Sequence, residues 1–327
     1  MPAVTTIARV LAHTFSALCA FCAISTAVAD NYPSRPIRII TPAQPGGTTD
    51  YLARLLAGRF TEVWKQQAIV DNRASASGVN AAEITKHAAA DGYTLFLVYH
   101  QHTVNAAILP KLPYHPVNDF TPISQMTAAG TLLVVNPSHP AKSLKEFVDW
   151  SKTTKEPINF GSAGIGSGGH MAGELYKMMT GVKAQHIPYK GTGPAIIDLI
   201  AGQYHFNFGG LAPGLTQVRS GKLRAIAVSA PKRLTALPDI PAMAEVLPGF
   251  EVVGWYGVMA PANLPKPLLA KLHAETAAYV KTPEFVNRLT ADGAEAVGSD
   301  PETFRQFMLA DMKKWAEVVK RSGAKFN

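Results

Sequence analysis

Short β-branched runs alternate along this chain with stretches whose apolar residues return every three or four positions. These are the spacings of strands followed by helices. Ile37, Ile39 and Ile40 form the first run; Tyr51, Leu52, Leu55, Leu56 and Phe60 mark the first helical face. Between them, Pro42-Ala43-Gln44-Pro45-Gly46-Gly47 ends the strand, since two prolines and two glycines suit neither a strand nor a helix interior. Thr48 or Thr49 caps the helix, and Asp50 falls in its first turn. A strand, a glycine loop and a helix start leave amide N–H groups unpaired at the positive end of a helix, which suits an anion. The plainer reading is an ordinary capped strand–helix turn.

The alternation continues. Residues 68–70 and 93–99 read as strands around a helix at 80–89. Residues 110–122, with prolines at 110, 113, 116 and 122, read as an ordered irregular crossing. Residues 131–135 form a strand, and Ser143 with Glu146 makes a capping box for a helix faced by Leu144, Phe147, Val148 and Trp150. Strands follow at 158–160, 185–188, 204–208 and 223–228, with a helix at 195–201. Residues 250–259 return the chain to its first part; Trp255 there either lines a cleft or packs a core. Three helical patterns close the chain, the last capped by Asp300 and covering a sheet face. The order implies α/β architecture with largely parallel sheets, whose ligands sit beyond the C-terminal strand ends.

The opening unit has an echo. After the strand at 158–160 come Gly161-Ser162-Ala163-Gly164-Ile165-Gly166-Ser167-Gly168-Gly169-His170 and a helix at 171–179. Ser162 and Ser167 can donate to an oxygen, and the glycines let the backbone approach it. Gly164, Gly166 and Gly169 match G-x-G-x-x-G, but no acid stands between Glu174 and Asp198 to hold a ribose. No P-loop lysine and no G-x-S-x-G elbow accompany the loop. Lys190, in Tyr189-Lys190-Gly191-Thr192-Gly193-Pro194, is a ligand contact or a solvated turn lysine.

Tyr99-His100-Gln101-His102-Thr103 falls at a strand end. In extended chain His100 and His102 point to one side. No third metal ligand is near, so the pair reads as ligand-facing imidazoles or as loop residues with local bonds, ahead of a metal site.

Charge and cysteines narrow the function. The formal net charge is +8 over 327 residues, without a basic run, so a nucleic-acid face is not expected. Arg9 followed by an apolar stretch ending in Ala27-Val28-Ala29 reads as a secretory signal. Cys19 and Cys22, the two cysteines of the chain, lie inside it. No later stretch is long enough to span a membrane. The remaining length suits two domains.

Taken together, residues 31–50, Asp91-Gly92-Tyr93-Thr94-Leu95, His186-Ile187-Pro188-Tyr189-Lys190-Gly191, Ala236-Leu237-Pro238-Asp239-Ile240-Pro241, Lys314-Trp315 and Ser322-Gly323-Ala324 resemble the periplasmic solute receptors of tripartite tricarboxylate transporters, the Bug or TctC-like proteins. The resemblance implies a two-lobed periplasmic binding protein fold of type II kind, with a mixed sheet in each lobe and the ligand between them. It places a signal at 1–29, one lobe at 30–131 and 253–327, and the other at 132–252. It implies a small organic carboxylate ligand, membrane transporter subunits as partners, no cofactor and no metal, and a monomer in the periplasm. The carboxylate would be held by Gly46, Gly47, Thr48 and Asp50 with Ser162, Ala163 and Ser167. Gln44, His100, Gln101, His102, Lys190 and Gly210 stand where the far end of the ligand would lie, several departing from the common family pattern. A second carboxylate there would want a protonated histidine and weaken in affinity as pH rises through about 6–7; an aromatic end would give a flat response. The alternative is an enzyme using His100, His102, His170 or Asp50 for proton transfer on a small acid.

Overall fold

In a computed structural model of the chain, strand β1 (Ile37–Thr41) pairs in parallel with β2 (Ala68–Asn72) and β3 (Thr94–Tyr99). The crossovers are helices α1 (Thr48–Trp64) and α2 (Val79–Lys86). The structure describes residues 31–46, 48–75, 78–109, 111–189, 191–290 and 293–322. The expected signal at 1–29, Gly47 and Lys190 lie outside them.

Strand β4 (Phe120–Val135) joins two sheets. From Phe120 to Gly130 it runs antiparallel to β9 (Val253–Pro261), which also pairs with β3. From Thr131 to Val135 it lies between β7 (Phe206–Gly210) and β8 (Arg224–Val228). The parallel strands β5 (Ile158–Ser162) and β6 (Ala184–Pro188) extend that second sheet, and the short β10 (Glu295–Ala296) adds to the first. The fold is α/β and two-lobed, with a mixed sheet in each lobe. It is less parallel than the sequence pattern suggests, because β9 returns antiparallel to both its neighbours.

Period-two alternation at the end of β4 shows why both faces of the second sheet are covered. Leu133 and Val135 pack with Phe147, Phe160, Tyr176 and Phe206. Leu132 and Val134 face the other way, onto Leu199, Tyr204 and Leu215. Helices α4 (Leu144–Thr153) and α5 (Gly168–Thr180) serve the first face; α6 (Thr192–Ile200) and α7 (Leu211–Arg219) serve the second. In the first lobe, α8 (Lys266–Val280) and α9 (Pro283–Thr290) pack on the Ile37, Leu56 and Phe60 side. The last helix, α10 (Pro301–Ser322), covers both lobes. Phe304 and Met308 pack with Trp255 and Phe96, while Trp315 and Val318 join the core around Phe147. Trp255 is fully buried, so it is core.

Several local expectations change. The proline-rich crossing ends at Asp119, and strand pairing begins at Phe120, ahead of the expected 131. Pro122 is tolerated because the ladder shifts register between Pro122 and Ser124. Residues 101–108 form helix α3 (Gln101–Ile108), not extended chain. Helix α7 starts at Leu211 despite Pro213, which stands in the first turn where its missing N–H breaks no helical bond. Ser143 accepts from Glu146 N–H, but the Glu146 carboxylate reaches back to Lys142 N–H instead of Ser143 N–H. Asp300 caps α10 through Thr303 N–H.

Candidate ligand-binding site

A cavity of about 370 Å³ lies where the two sheets meet. Five of the described helices begin at its wall. Thr48 starts α1, His100 precedes α3, Ser167 caps α5, Thr192 starts α6 and Gly210 precedes α7. Each start carries N–H groups without helical partners and the positive end of a helix dipole. Among the described residues, no lysine, arginine or carboxylate lines this cavity. A larger groove of about 630 Å³ lies at Ile158, Lys177 and Ala184, by the N-terminal ends of β5 and β6. That is the wrong end of parallel strands for a ligand, and none of the described helices begins there.

The first loop is shaped by Asp50, which does not line the cavity. Its Oδ2 accepts from Gly46 N–H at 2.9 Å and from Arg54 Nε at 2.9 Å, and its Oδ1 accepts from Asn72 Nδ2 at 3.0 Å. Burial pushes this carboxyl up, but Arg54, Gly46 and Asn72 outweigh it and hold it down at about 2. An ionised Asp50 thus folds the loop back and leaves the helix start open to the cavity. Gly46 takes the left-handed φ of +88° that the fold-back needs, and it and Gln44 are exposed off the cavity wall. Thr48 reaches the wall, and the Tyr256 hydroxyl is hydrogen-bonded by Thr48 and Thr49.

The second loop rests on two stacked imidazoles. Ser167 Oγ caps α5 by accepting from His170 N–H, and Ser167 and Ala163 line the cavity. Ser162 points beneath the loop, bonded to Gly164 and, at 2.7 Å, to His186 Nε2. His186 stacks on His170 at 3.8 Å, and His170 Nδ1 accepts from Gly166 N–H. Burial first, then neighbouring positive charge, lowers His170 to about 3 and His186 to about 4, so both rings are neutral. The donor role expected for Ser162 is therefore spent inside the loop.

The two strand-end histidines separate because the chain turns helical at Gln101. His100 lines the cavity, its Nε2 without a hydrogen-bond partner, and burial lowers it to about 4. His102 does not reach the cavity. Its ring stacks on Tyr114, meets Phe96 and Phe120 edge-on, and contacts Pro116 O through Nε2 at 2.9 Å. His102 is core, and burial lowers it to about 4. The ionic histidine expected for a second carboxylate is thus not what the cavity offers. Gln101 also stays off the wall. It accepts from the Tyr99 hydroxyl and reaches toward Ile165 O, tying α3 to the second loop.

Sequence reasoning missed Tyr51, Thr131, Thr192, Asn207 and Leu289, all on the wall. Tyr51 read as core by its period, yet it is 42% exposed. Thr192 carried a usable signal, since it opens a helix after a glycine as Thr48 does. Thr131 and Asn207 sit inside strands and carried none.

Residues 52–324 match the profile of the tripartite tricarboxylate transporter family receptors, TctC. The chain belongs to this family. It is 35% identical over 300 residues to protein BugT of Bordetella pertussis, covering 91% of this chain and 92% of that one. It resembles a solved R. palustris protein with adipate, at 32% identity and a TM-score of 0.79 over 89% of this chain and 98% of that one. It also resembles MatC from Rhodopseudomonas palustris with bound malate, at 32% identity and a TM-score of 0.75, over 88% and 100%. The chain is a solute receptor of a membrane transport system, not an enzyme. Of the four candidates for proton transfer, His102 is core, His170 supports a loop, Asp50 is held by three donors, and His100 lines the cavity.

Proposed function

We infer that this receptor binds one small organic carboxylate in the cavity between its lobes and hands it to membrane transporter subunits. The observation that carries this is the convergence of five helix starts, three of them with a hydroxyl, on one cavity whose described lining carries no charged side chain. Free N–H groups at helix starts hold a carboxylate through charge-assisted bonds without a formal cation. The anchor falls at Thr48 on one side and at Ala163, Ser167, Gly168 and Gly169 on the other, with ordered water filling any gap between loop and anion. The solved relatives with adipate and malate support a carboxylate as the ligand class.

The lobe division follows β4 and β9. We place the first lobe at 30–131 and 253–327 and the second at 132–252, closing by a hinge over the ligand. Gly47 and Lys190, outside the described residues, stay candidate ligand contacts. Among the described residues no helix is long and apolar enough to cross a membrane. The reading takes the receptor as a monomer exported to the periplasm, as the family resemblance implies.

A thermal-shift screen of mono-, di- and tricarboxylates tests the reading, because a ligand of the native state alone raises the melting temperature. At least one carboxylate should raise it and be recovered chemically unchanged. A shift with amines or neutral sugars, and with no carboxylate, would overturn it.

A further inference from the structure

Two chain segments cross between the lobes, and one buried serine sits where they part. Up to Gly130 and Val253 the crossing strands β4 and β9 pair directly with each other. Beyond that pair they diverge, and Ser229, the residue after β8, fills the fork. It is fully buried. Its backbone holds both arms: Ser229 N–H donates to Thr131 O at 2.8 Å, and Val252 N–H donates to Ser229 O at 2.9 Å. Its hydroxyl repeats both links. Ser229 Oγ accepts from Thr131 N–H at 2.7 Å and from the Thr131 hydroxyl at 2.9 Å, and it donates to Val252 O at 2.6 Å. A hydroxyl has one proton and two lone pairs, so this one has no bonding capacity left.

The crossing is thin at this level. Ala129 and Gly130 line the ligand cavity on one side and a second cavity, of about 320 Å³, on the other. Contact is closest at the fork itself, where a Cβ at Gly130 would stand 3.0 Å from Ala230 N. The fork reaches the ligand side through Thr131, which lines the cavity and whose hydroxyl proton is committed to Ser229. In this arrangement Thr48 and Tyr256 from the first lobe and Ser167 and Thr192 from the second wall the same cavity. The bonds at Ser229 therefore hold an angle at which both lobes reach one ligand.

We propose that Ser229 is a positioning residue for ligand capture: it pins the fork of the crossing strands and, through Thr131, holds the lobes at the angle at which both wall the cavity. The inference rests on the hinge closure described above and assigns that closure a residue. Without the hydroxyl the lobes spend less time at this angle, and apparent affinity falls with the competent fraction. A serine needed for folding alone would change stability and leave angle and affinity as they are.

The test compares wild type with Ser229→Ala, which removes the hydroxyl, and with Gly130→Ala, which keeps it and forces the fork open. Phe147→Leu, in the second-lobe core, is the control for lowered stability. Spin labels at Val63→Cys on α1 and Ile197→Cys on α6, both exposed positions, report lobe separation, with Cys19→Ser and Cys22→Ser removing the other thiols. Malate, adipate and benzoate are the probe acids, titrated calorimetrically. Without ligand, both fork variants should show longer and broader label distances than wild type. The acid that wild type binds best should bind each of them about threefold more weakly or worse. Phe147→Leu should lower the melting temperature and move neither reading. Melting curves check folding, and Gly130→Ala decides if Ser229→Ala does not fold. Wild-type distances, or wild-type affinity for an acid that binds, in the folded fork variants would overturn the proposal, as would equal shifts in Phe147→Leu. If no probe acid binds wild type, the carboxylate reading falls and the label distances alone decide the pin.

Discussion

The Thr103 hydroxyl donates to Asp311 Oδ2 at 2.6 Å, and Trp255 Nε1 donates to the same oxygen at 3.1 Å. One buried carboxyl on α10 thereby joins α3, the strand β9 that returns to the first lobe, and the helix that packs on both lobes. Burial raises the Asp311 carboxyl, against the bonds from Thr103 and Trp255 and the charge of Lys314. This is the mechanical centre beneath the cavity, since α3 begins at its wall with His100.

Asp311→Ala should destabilise the protein by about 1–3 kcal/mol, because it leaves the buried Trp255 indole N–H unpaired while the Thr103 hydroxyl keeps His100 O as its acceptor. Urea unfolding measures the loss. A change below about 0.5 kcal/mol, the range of a surface site, would remove Asp311 from this role.

Gly169 tests how tightly the second loop is seated. A Cβ there would stand 2.1 Å from Phe208 O, so Gly169→Ala forces α5 off β7. At neighbouring Gly168 the nearest atom would be Thr131 Cγ2 at 3.6 Å, an ordinary contact. Gly169→Ala should cost roughly 2 kcal/mol or more and Gly168→Ala under about 1 kcal/mol, read from denaturation midpoints. Equal effects would contradict the seating.

Stability should fall as pH drops from about 6.5 to 4. His100, His102 and His186 are lowered from 6.5 to about 4 by burial, and His170 to about 3. In that window the unfolded chain binds protons that the folded chain refuses, so stability rises with pH and is lost on acidification. A single such histidine accounts for on the order of 3 kcal/mol by pH 4. Carboxylate affinity should stay flat from pH 6 to 8, since His100 is already neutral there. Melting temperatures and titrations across that range check both; a stability maximum near pH 4, or affinity falling through pH 6–7, would contradict them.

The two histidines at the end of β3 also separate by mutation. His102→Ala should lower stability by about 2 kcal/mol or more, as loss of a packed ring does, and leave ligand preference alone. His100→Ala should alter ligand affinity instead. Reversed effects would contradict the placement of these rings.

Most of the architecture was legible because each strand–loop–helix unit is local. Ile37, Ile39 and Ile40 with the period through Phe60 specify one such unit; Phe160, the glycine loop and the helix ending near Met179 specify the other. The resemblance supplied the two-lobed arrangement, which no local pattern contains. What the pattern could not supply was long-range. Phe120 to Gly130 became a strand through pairing with β9, far along the chain, despite Pro122. His100 and His102 looked alike in an extended reading, and one helical turn starting at Gln101 sent them apart. Asn207 reads as an interior strand residue, yet it stands on the wall.

The central claim is that helix starts, without a side-chain cation, anchor a carboxylate. It is tested most directly by titrating the purified protein with its best-binding acid and with the primary amide of that acid, in wild-type and Ser167→Trp forms. The account predicts saturable 1:1 binding of the acid, no measurable binding of the amide, and loss of acid binding in Ser167→Trp with a cooperative melt retained. Equal affinity for acid and amide, or acid binding that survives Ser167→Trp, would contradict it.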